Sequence, residues 1–215
     1  MKQIFLSILL ALMFSATYSQ TAIKVMFQTQ TVYKEELLKS MPVHIRAAAL
    51  QQLNSIKKES FMTVQNNKVY FEIKSQKIDK KQSGAINSTD KSSNVLFAKD
   101  LSLSGSYPAV KLIKDFKTKT IVTKTKDKLT TEKLISVNWK FTNKQIKVLG
   151  YSCYEATTEF KNKLLTVYFT KDLKVSASPS NLPFIDGVVL AYKHGNSTTT
   201  ALKVELQQPE LTNFL

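Results

Sequence analysis

The chain has 215 residues and carries 31 lysines and arginines against 16 aspartates and glutamates, a formal charge of +15 at pH 7. Arg46 is the only arginine, so the charge is a diffuse lysine coat. That coat lacks the bidentate guanidinium contacts with which nucleic-acid readers grip guanine and phosphate, and no nucleic-acid partner is expected. A single cysteine, Cys153, excludes an intramolecular disulfide, so the fold must rest on its hydrophobic core.

Lys2 followed by the apolar run from Ile4 to Ala16 and the small residues Thr17 and Ser19 has the layout of a secretory leader, cleaved near Ser19–Gln20. The run is short of the roughly 20 residues a spanning helix needs. Residues 1–19 are thus expected to be a signal peptide. Residues 20–215 then form a single β-rich domain with no later transmembrane segment. For an exported protein the lysine coat has two readings. It makes peripheral contact with anionic lipid or acidic polysaccharide, or it guards exposed strand edges against pairing.

From Ala22 the chain alternates, with Ile23, Val25 and Phe27 on one side and Lys24, Met26 and Gln28 on the other. This is the period of a half-buried strand. Met41 to Lys58 reads as the one helix, with Pro42 in its first turn and Lys57 and Lys58 at its C-terminal end. Its apolar stripe is Ile45, Ala49, Leu53 and Ile56. Phe61 to Val64 and Val69 to Ile73 then flank the turn pair Asn66–Asn67, as in a hairpin. Residues 77–94 hold almost no apolar side chain and are expected to be a flexible polar loop.

From Ala109 strands dominate: Val110, Leu112 and Phe116, then the lysine-spaced run around Ile121, then Leu134 to Phe141 and Gln145 to Phe160. Leu164 to Phe169, Val188 to Tyr192 and Ala201 to Leu206 complete the series. Turns are expected at Asn143–Lys144, Lys161–Asn162–Lys163 and Gly195–Asn196, and a bulge or bend at Gly150. The sum is a mainly β fold of the α+β kind. A single antiparallel sheet is curved like a half-barrel, with one amphipathic helix packed on it.

Catalytic patterns are missing. There is no glycine-rich phosphate loop, GxSxG elbow or HExxH pair, and His44 and His194 stand far apart. Cys153 lies between Tyr151 and Tyr154 without a neighbouring base, as a buried inert thiol would. The acidic residues Glu72, Asp115, Glu155 and Glu159 single out no catalytic pair. No catalytic residue, metal ligand or cofactor is assigned, and the protein is expected not to be an enzyme.

Three stretches carry a family likeness. A tryptophan strand at Trp139 leads into Gly150, Tyr151, Cys153 and Ala156; Tyr168–Phe169–Thr170 follows; then comes Asn181–Leu182–Pro183–Phe184–Ile185 before Val188–Val189–Leu190. Lys114–Asp115–Phe116 fits the same pattern. Together they resemble the GLPGLI family of exported bacterial envelope proteins. Asn181 and Phe184 stand at the two glycines of the name motif, which makes this a divergent member or a relative of the family. The resemblance implies a protein of the periplasm, outer membrane or cell exterior of a Gram-negative bacterium. It also implies structural duties for Trp139, Gly150, Tyr151, Cys153, Ala156, Leu182, Pro183 and Ile185. Two functions stay open. One is a non-enzymatic module that binds an envelope protein, glycan or lipid. The other, by analogy with lipoprotein carriers, is a carrier of a lipid or other apolar ligand lined by Ile45, Ala49, Leu53 and Ile56.

Overall fold

The computed structural model describes residues 22–82, 101–126, 128–207 and 214–215. The expected signal peptide and residues 83–94 of the polar stretch lie outside them. The strands are β1 (Ala22–Thr31), β2 (Lys57–Gln65), β3 (Lys68–Ile73), β4 (Gln76–Gln82), β5 (Leu101–Tyr107), β6 (Val110–Asp115) and β7 (Thr120–Thr125). They continue with β8 (Lys128–Lys133), β9 (Lys140–Val148), β10 (Tyr151–Phe160), β11 (Lys163–Thr170), β12 (Val188–His194) and β13 (Ser197–Gln207). A 3-10 turn (Glu35–Leu38) and one helix, α1 (Val43–Asn54), separate β1 from β2.

Eleven strands make one sheet in the order β8-β7-β6-β3-β2-β1-β13-β12-β11-β10-β9, and β4 pairs only with β5. Every pairing in the large sheet is antiparallel, and β8 and β9 remain as its edges, so it is not closed into a barrel. The first strand and the last lie side by side at its centre. The sheet curls until Ile121 on one wing and Val148 and Cys153 on the other share a single apolar cluster with Val25, Phe27, Met62 and Leu190. A second cluster joins Phe160, Leu165, Val167 and Phe169 to Leu182 and Ile185. This is the single curved antiparallel sheet with one helix that the period-2 patterns required.

Turn chemistry sets the hairpins. Asn66–Asn67 and Lys161–Asn162 both hold two consecutive positive φ angles, 51° and 59°, the geometry that matches the twist of the flanking strands. Leu149–Gly150 does the same at 52° and 86°. Gly150 therefore does not bend one long strand; it closes a hairpin and splits the expected Gln145–Phe160 strand into β9 and β10. The bulge lies elsewhere. Tyr154 pairs with Gln145 and Ala156 with Phe141, so Thr142, Asn143 and Lys144 oppose Glu155 alone. The turn expected at Asn143–Lys144 is this bulge inside β9.

Three further expectations change. Residues 134–139 precede β9 as irregular chain rather than strand. Residues 77–82, the first part of the expected polar loop, belong to β4 and pair with β5. The helix ends four residues early, at Asn54, where the Ser55 amide donates to the Gln51 and Gln52 carbonyls at 3.0 and 3.1 Å. Lys57 and Lys58 then pair with Gln30 and Thr29 on β1, so they begin β2 and do not face a helix C-terminus. Strand partners on β1 outweigh the weak local helix preference of a Lys-Lys pair. Asn54 fixes the junction: its Oδ1 accepts from the Tyr33 amide at 2.6 Å, and its carbonyl accepts from Gln30 Nε2 at 3.0 Å.

Candidate functional site

Residues directly opposite each other in antiparallel strands project from the same face. On the inner face of the sheet, Val25 stands between Met62 and Val204, and Phe27 between Ser60 and Ala201. Two residues further along β1, Thr29 stands between Lys58 and Thr199, and Thr31 faces Ser197. On β12, Tyr192 faces Thr199 and His194 faces Ser197. Across these adjacent strands the inward side chains thus change from apolar to polar within two successive levels, Ser60 being already polar beside Phe27. Below that change the face is filled, with Val25, Phe27 and Met62 wholly inaccessible to solvent. Above it a cavity of ≈ 270 Å³ opens.

Thr29 and Thr31 from β1, Lys58, Glu59 and Ser60 from β2, and Tyr192, His194, Ser197 and Thr199 from the β12–β13 hairpin line it. Phe71 and Ile73 on β3 floor it, and Ser180, Asn181 and Leu182 form its far wall. The hydroxyls are organised in pairs: Thr29 Oγ1 lies 2.7 Å from Thr199 Oγ1, and Thr31 Oγ1 lies 2.9 Å from Ser197 Oγ. Burial raises the pKa of Tyr192, against the opposing pull of its hydrogen bond with Thr199. His194 Nε2 lies 2.9 Å from the Phe160 carbonyl, which can only accept, so Nε2 carries the proton. Burial lowers the pKa of Lys58, partly offset by Tyr33. Chemically this is a recess of donors and acceptors edged by aromatic faces. Among the described residues no group of three or more His, Cys, Asp or Glu is placed to hold a metal ion.

The wall of the recess belongs to the segment between β11 and β12. Asp186 accepts from Lys171 at 2.7 Å and from Ser176 at 3.2 Å, and Ser176 Oγ accepts from the Gly187 amide at 3.1 Å. At Gly187, φ is +137°, and an added Cβ would meet the Thr170 carbonyl oxygen at 2.7 Å and the Phe169 ring at 2.8 Å. Only glycine fits there. The indole Nε1 of Trp139 donates to the Phe184 carbonyl at 2.8 Å, and the Phe116 and Phe184 rings meet edge-on at 5.1 Å.

The deepest tie is Lys114 on β6, whose side chain is fully buried. Its ammonium donates to the Ser178 carbonyl at 2.7 Å, the Ser178 hydroxyl at 2.9 Å and the Leu182 carbonyl at 2.8 Å. Three N–H groups meet three acceptors, none of them a carboxylate. Burial holds its pKa well below 10.5. In the neutral amine two N–H groups serve the carbonyls, and the Ser178 hydroxyl can donate to the lone pair only by giving up its own bond to the Leu182 carbonyl.

The residues of the family-like motifs divide into two groups. Ala156, Leu182 and Ile185 are buried in one cluster, with Trp139 packed against it and Pro183 buried beside it. Gly150 and Tyr151 sit at the β9–β10 hairpin, and Cys153 is fully buried in the main core. Burial pushes the Cys153 thiol up to about 11, which removes thiolate character at neutral pH. Of the helix stripe, Ala49 and Ile56 are buried and Ile45 and Leu53 half-buried. Ile56 lies just beyond the helix, and none of the four lines the recess. Glu155 spans the β9 bulge, accepting from Tyr168 at 2.6 Å and Thr142 at 3.1 Å with Lys144 at 3.2 Å, while Glu159 is exposed.

A family model described as the N-terminal domain of N-glycanase peptide (PNGase F-II) matches residues 52–213. Among solved structures, PNGF-II crystallised in space group P21 superposes with a TM-score of 0.56 at 17% identity, covering 88% of this chain and 29% of that one. The same protein in space group C2 gives 0.55 at 16%, with 88% and 28% covered. This chain therefore spans less than a third of the length of those structures, and the likeness is one of fold. No curated protein matches the chain.

Proposed function

The chain belongs to the family of N-glycanase N-terminal domains, and from that premise we propose that it is a non-enzymatic binding module that holds a hydroxyl-rich ligand, a glycan, in the polar recess of its inner face. The observation that carries this reading is the change of inner-face chemistry along β13, β1 and β2: Val204, Val25 and Met62 at one level, Thr199, Thr29 and Lys58 further along. Paired hydroxyls that both donate and accept, beside Tyr192 and Phe71, suit the alternating O–H and C–H faces of a sugar. The family name supports the same class of ligand.

An apolar carrier needs an open apolar chamber. The apolar part of this face is filled by Phe27, Met62 and Leu190, none of them accessible to solvent. The leader-like N-terminus and the resemblance to GLPGLI proteins support an exported protein of the bacterial envelope. Among the described residues no helix is long and apolar enough to cross a membrane.

The test is backbone-amide NMR of the purified chain titrated with N,N′-diacetylchitobiose, with palmitate as the apolar comparison. Saturable shifts at Thr29, Tyr192, His194 and Thr199 with the sugar alone are the expected result. Saturation by palmitate alone would replace this reading with the carrier.

A further inference from the structure

We propose that Lys114 is a positioning residue for the recess, holding the Ser178–Leu182 segment at the distance that lets Ser180 and Asn181 serve as its wall. The proposal rests on the binding reading above for its purpose, but its geometry stands without it. The two carbonyls that Lys114 grips, at Ser178 and Leu182, bracket the two wall residues. Lys114 itself comes from β6, across the sheet, with Val69 and Ile121 as its strand partners on the inner face.

A buried lysine with no carboxylate is a costly way to fill space. Leucine or methionine would pack beside Val69 and Ile121 without any desolvation penalty. What an apolar residue cannot do is bind carbonyls, and the segment it binds has unusual backbone needs. Ser180 is held at a positive φ of 52°, uncommon for a residue with a side chain. A strained wall persists only when its surroundings over-determine it. Lys114 supplies two of the fixed points, and the Ser178 hydroxyl, donating to the Leu182 carbonyl at 3.1 Å, closes the ring. Phe116, two residues further along the chain, meets the Phe184 ring edge-on.

The only tryptophan in the chain reports on this segment, because Trp139 donates to the Phe184 carbonyl. The experiment compares acrylamide quenching of Trp139 and the chitobiose titration in the native protein, in Lys114→Met, in Ser178→Ala and in Phe27→Ala. Phe27→Ala serves as the control, a change in the main core that removes none of the hydrogen bonds made by Lys114 or Ser178.

With far-UV circular dichroism unchanged, Lys114→Met is expected to raise the quenching constant and weaken sugar binding, and Ser178→Ala to move both in the same direction by less. Phe27→Ala, in its folded state, should leave quenching at the native value, which separates a wall-positioning role from general loosening. If Lys114→Met does not fold, Ser178→Ala decides. Native quenching in the folded Lys114→Met protein, or in Ser178→Ala when it is the deciding variant, overturns the proposal. If the native chain binds no sugar, the binding reading fails. The quenching comparison alone then decides whether Lys114 positions the segment.

Discussion

Strands β1, β2 and β13 pass through both ends of the inner face, and their backbone pairing continues through both, yet the two ends are different materials. At the level of Val25 the inward side chains are Val25, Met62 and Val204; at the level of Thr29 they are Thr29, Lys58 and Thr199. The first end gains from area removed from water, and it is filled because any void there forfeits contacts. The second gains little from burial, and its hydroxyls satisfy one another across the strands instead. The fold is made at one end, and this is what leaves the other end open to the ligand we propose. A sheet whose ladder is secured at one level can change its inward residues at another without losing its pairing.

The two ends are expected to differ most in their sensitivity to truncation. Phe27→Ala is expected to cost about 3–5 kcal/mol of unfolding free energy, since a fully buried ring leaves a cavity that its neighbours cannot close. Thr199→Val keeps the volume and removes one hydroxyl from the pair with Thr29, a loss of about 1 kcal/mol. Urea denaturation of both variants measures the ratio. Equal costs would mean that the polar end is as much core as the apolar end.

Gly187→Ala sharpens the boundary between the two. Its Cβ would run into the Thr170 carbonyl and the Phe169 ring, and the backbone is held at a φ that favours glycine. A loss of about 2 kcal/mol or more is expected by the same assay, together with increased quenching of Trp139 as the segment carrying the wall shifts.

Part of this architecture is legible in the amino-acid sequence. The alternation of Ile23, Val25 and Phe27 marks the inner face of β1, and Asn66–Asn67 marks the hairpin of β2 and β3, because both signals are local. The same alternation continues to Thr29 and Thr31, but a threonine at an inward position means nothing until its partners are known. Thr199 is 170 residues away. Lys58 reads as part of the helix for the same reason: its strand partner on β1 is invisible in a local window. Lys114 does leave a trace. It falls on the same parity as Val110 and Leu112, so a period-2 reading puts a lysine on the buried face. Its acceptors, 64 and 68 residues on, are what no local pattern supplies. Leu182 and Pro183 stand out by family resemblance, while the carbonyl that matters at Leu182 belongs to the main chain, which no side-chain pattern displays.

The pH dependence of stability separates the two sides of the wall. Lys114 titrates below 10.5 in the folded chain because of burial, and near 10.5 once unfolded. Between those values the unfolded chain binds more protons, so this residue's contribution raises stability as pH rises. Its contribution is complete above 10.5 and is lost as pH falls through the lowered value. The slope from one group cannot exceed about 1.4 kcal/mol per pH unit. Many other lysines titrate in the same range, so the measurement is the difference between the native chain and Lys114→Met across alkaline pH. A difference that stays flat would mean that Lys114 titrates alike in the folded and unfolded chain, its three acceptors fully offsetting burial.

The smallest effect lies on the far wing, where Glu155 bridges the β9 bulge. Hydrogen bonding from Tyr168, ahead of the contributions from Lys144 and Thr142, lowers its pKa from 4.5. A lowered carboxylate stabilises above its unfolded value, near 4.5, and that stabilisation fades as pH falls through the folded value. Glu155→Gln is therefore expected to cost less than about 1 kcal/mol at pH 7, because Lys144 is mostly exposed and screened, and the cost should shrink as pH falls through the lowered folded value. The recess should be unaffected, with the chitobiose titration unchanged, since Glu155 contributes nothing to its lining. A loss of sugar binding in Glu155→Gln would move the functional surface from the inner face to the bulged edge strand, and the contrast between the two ends of β1 would then describe packing alone.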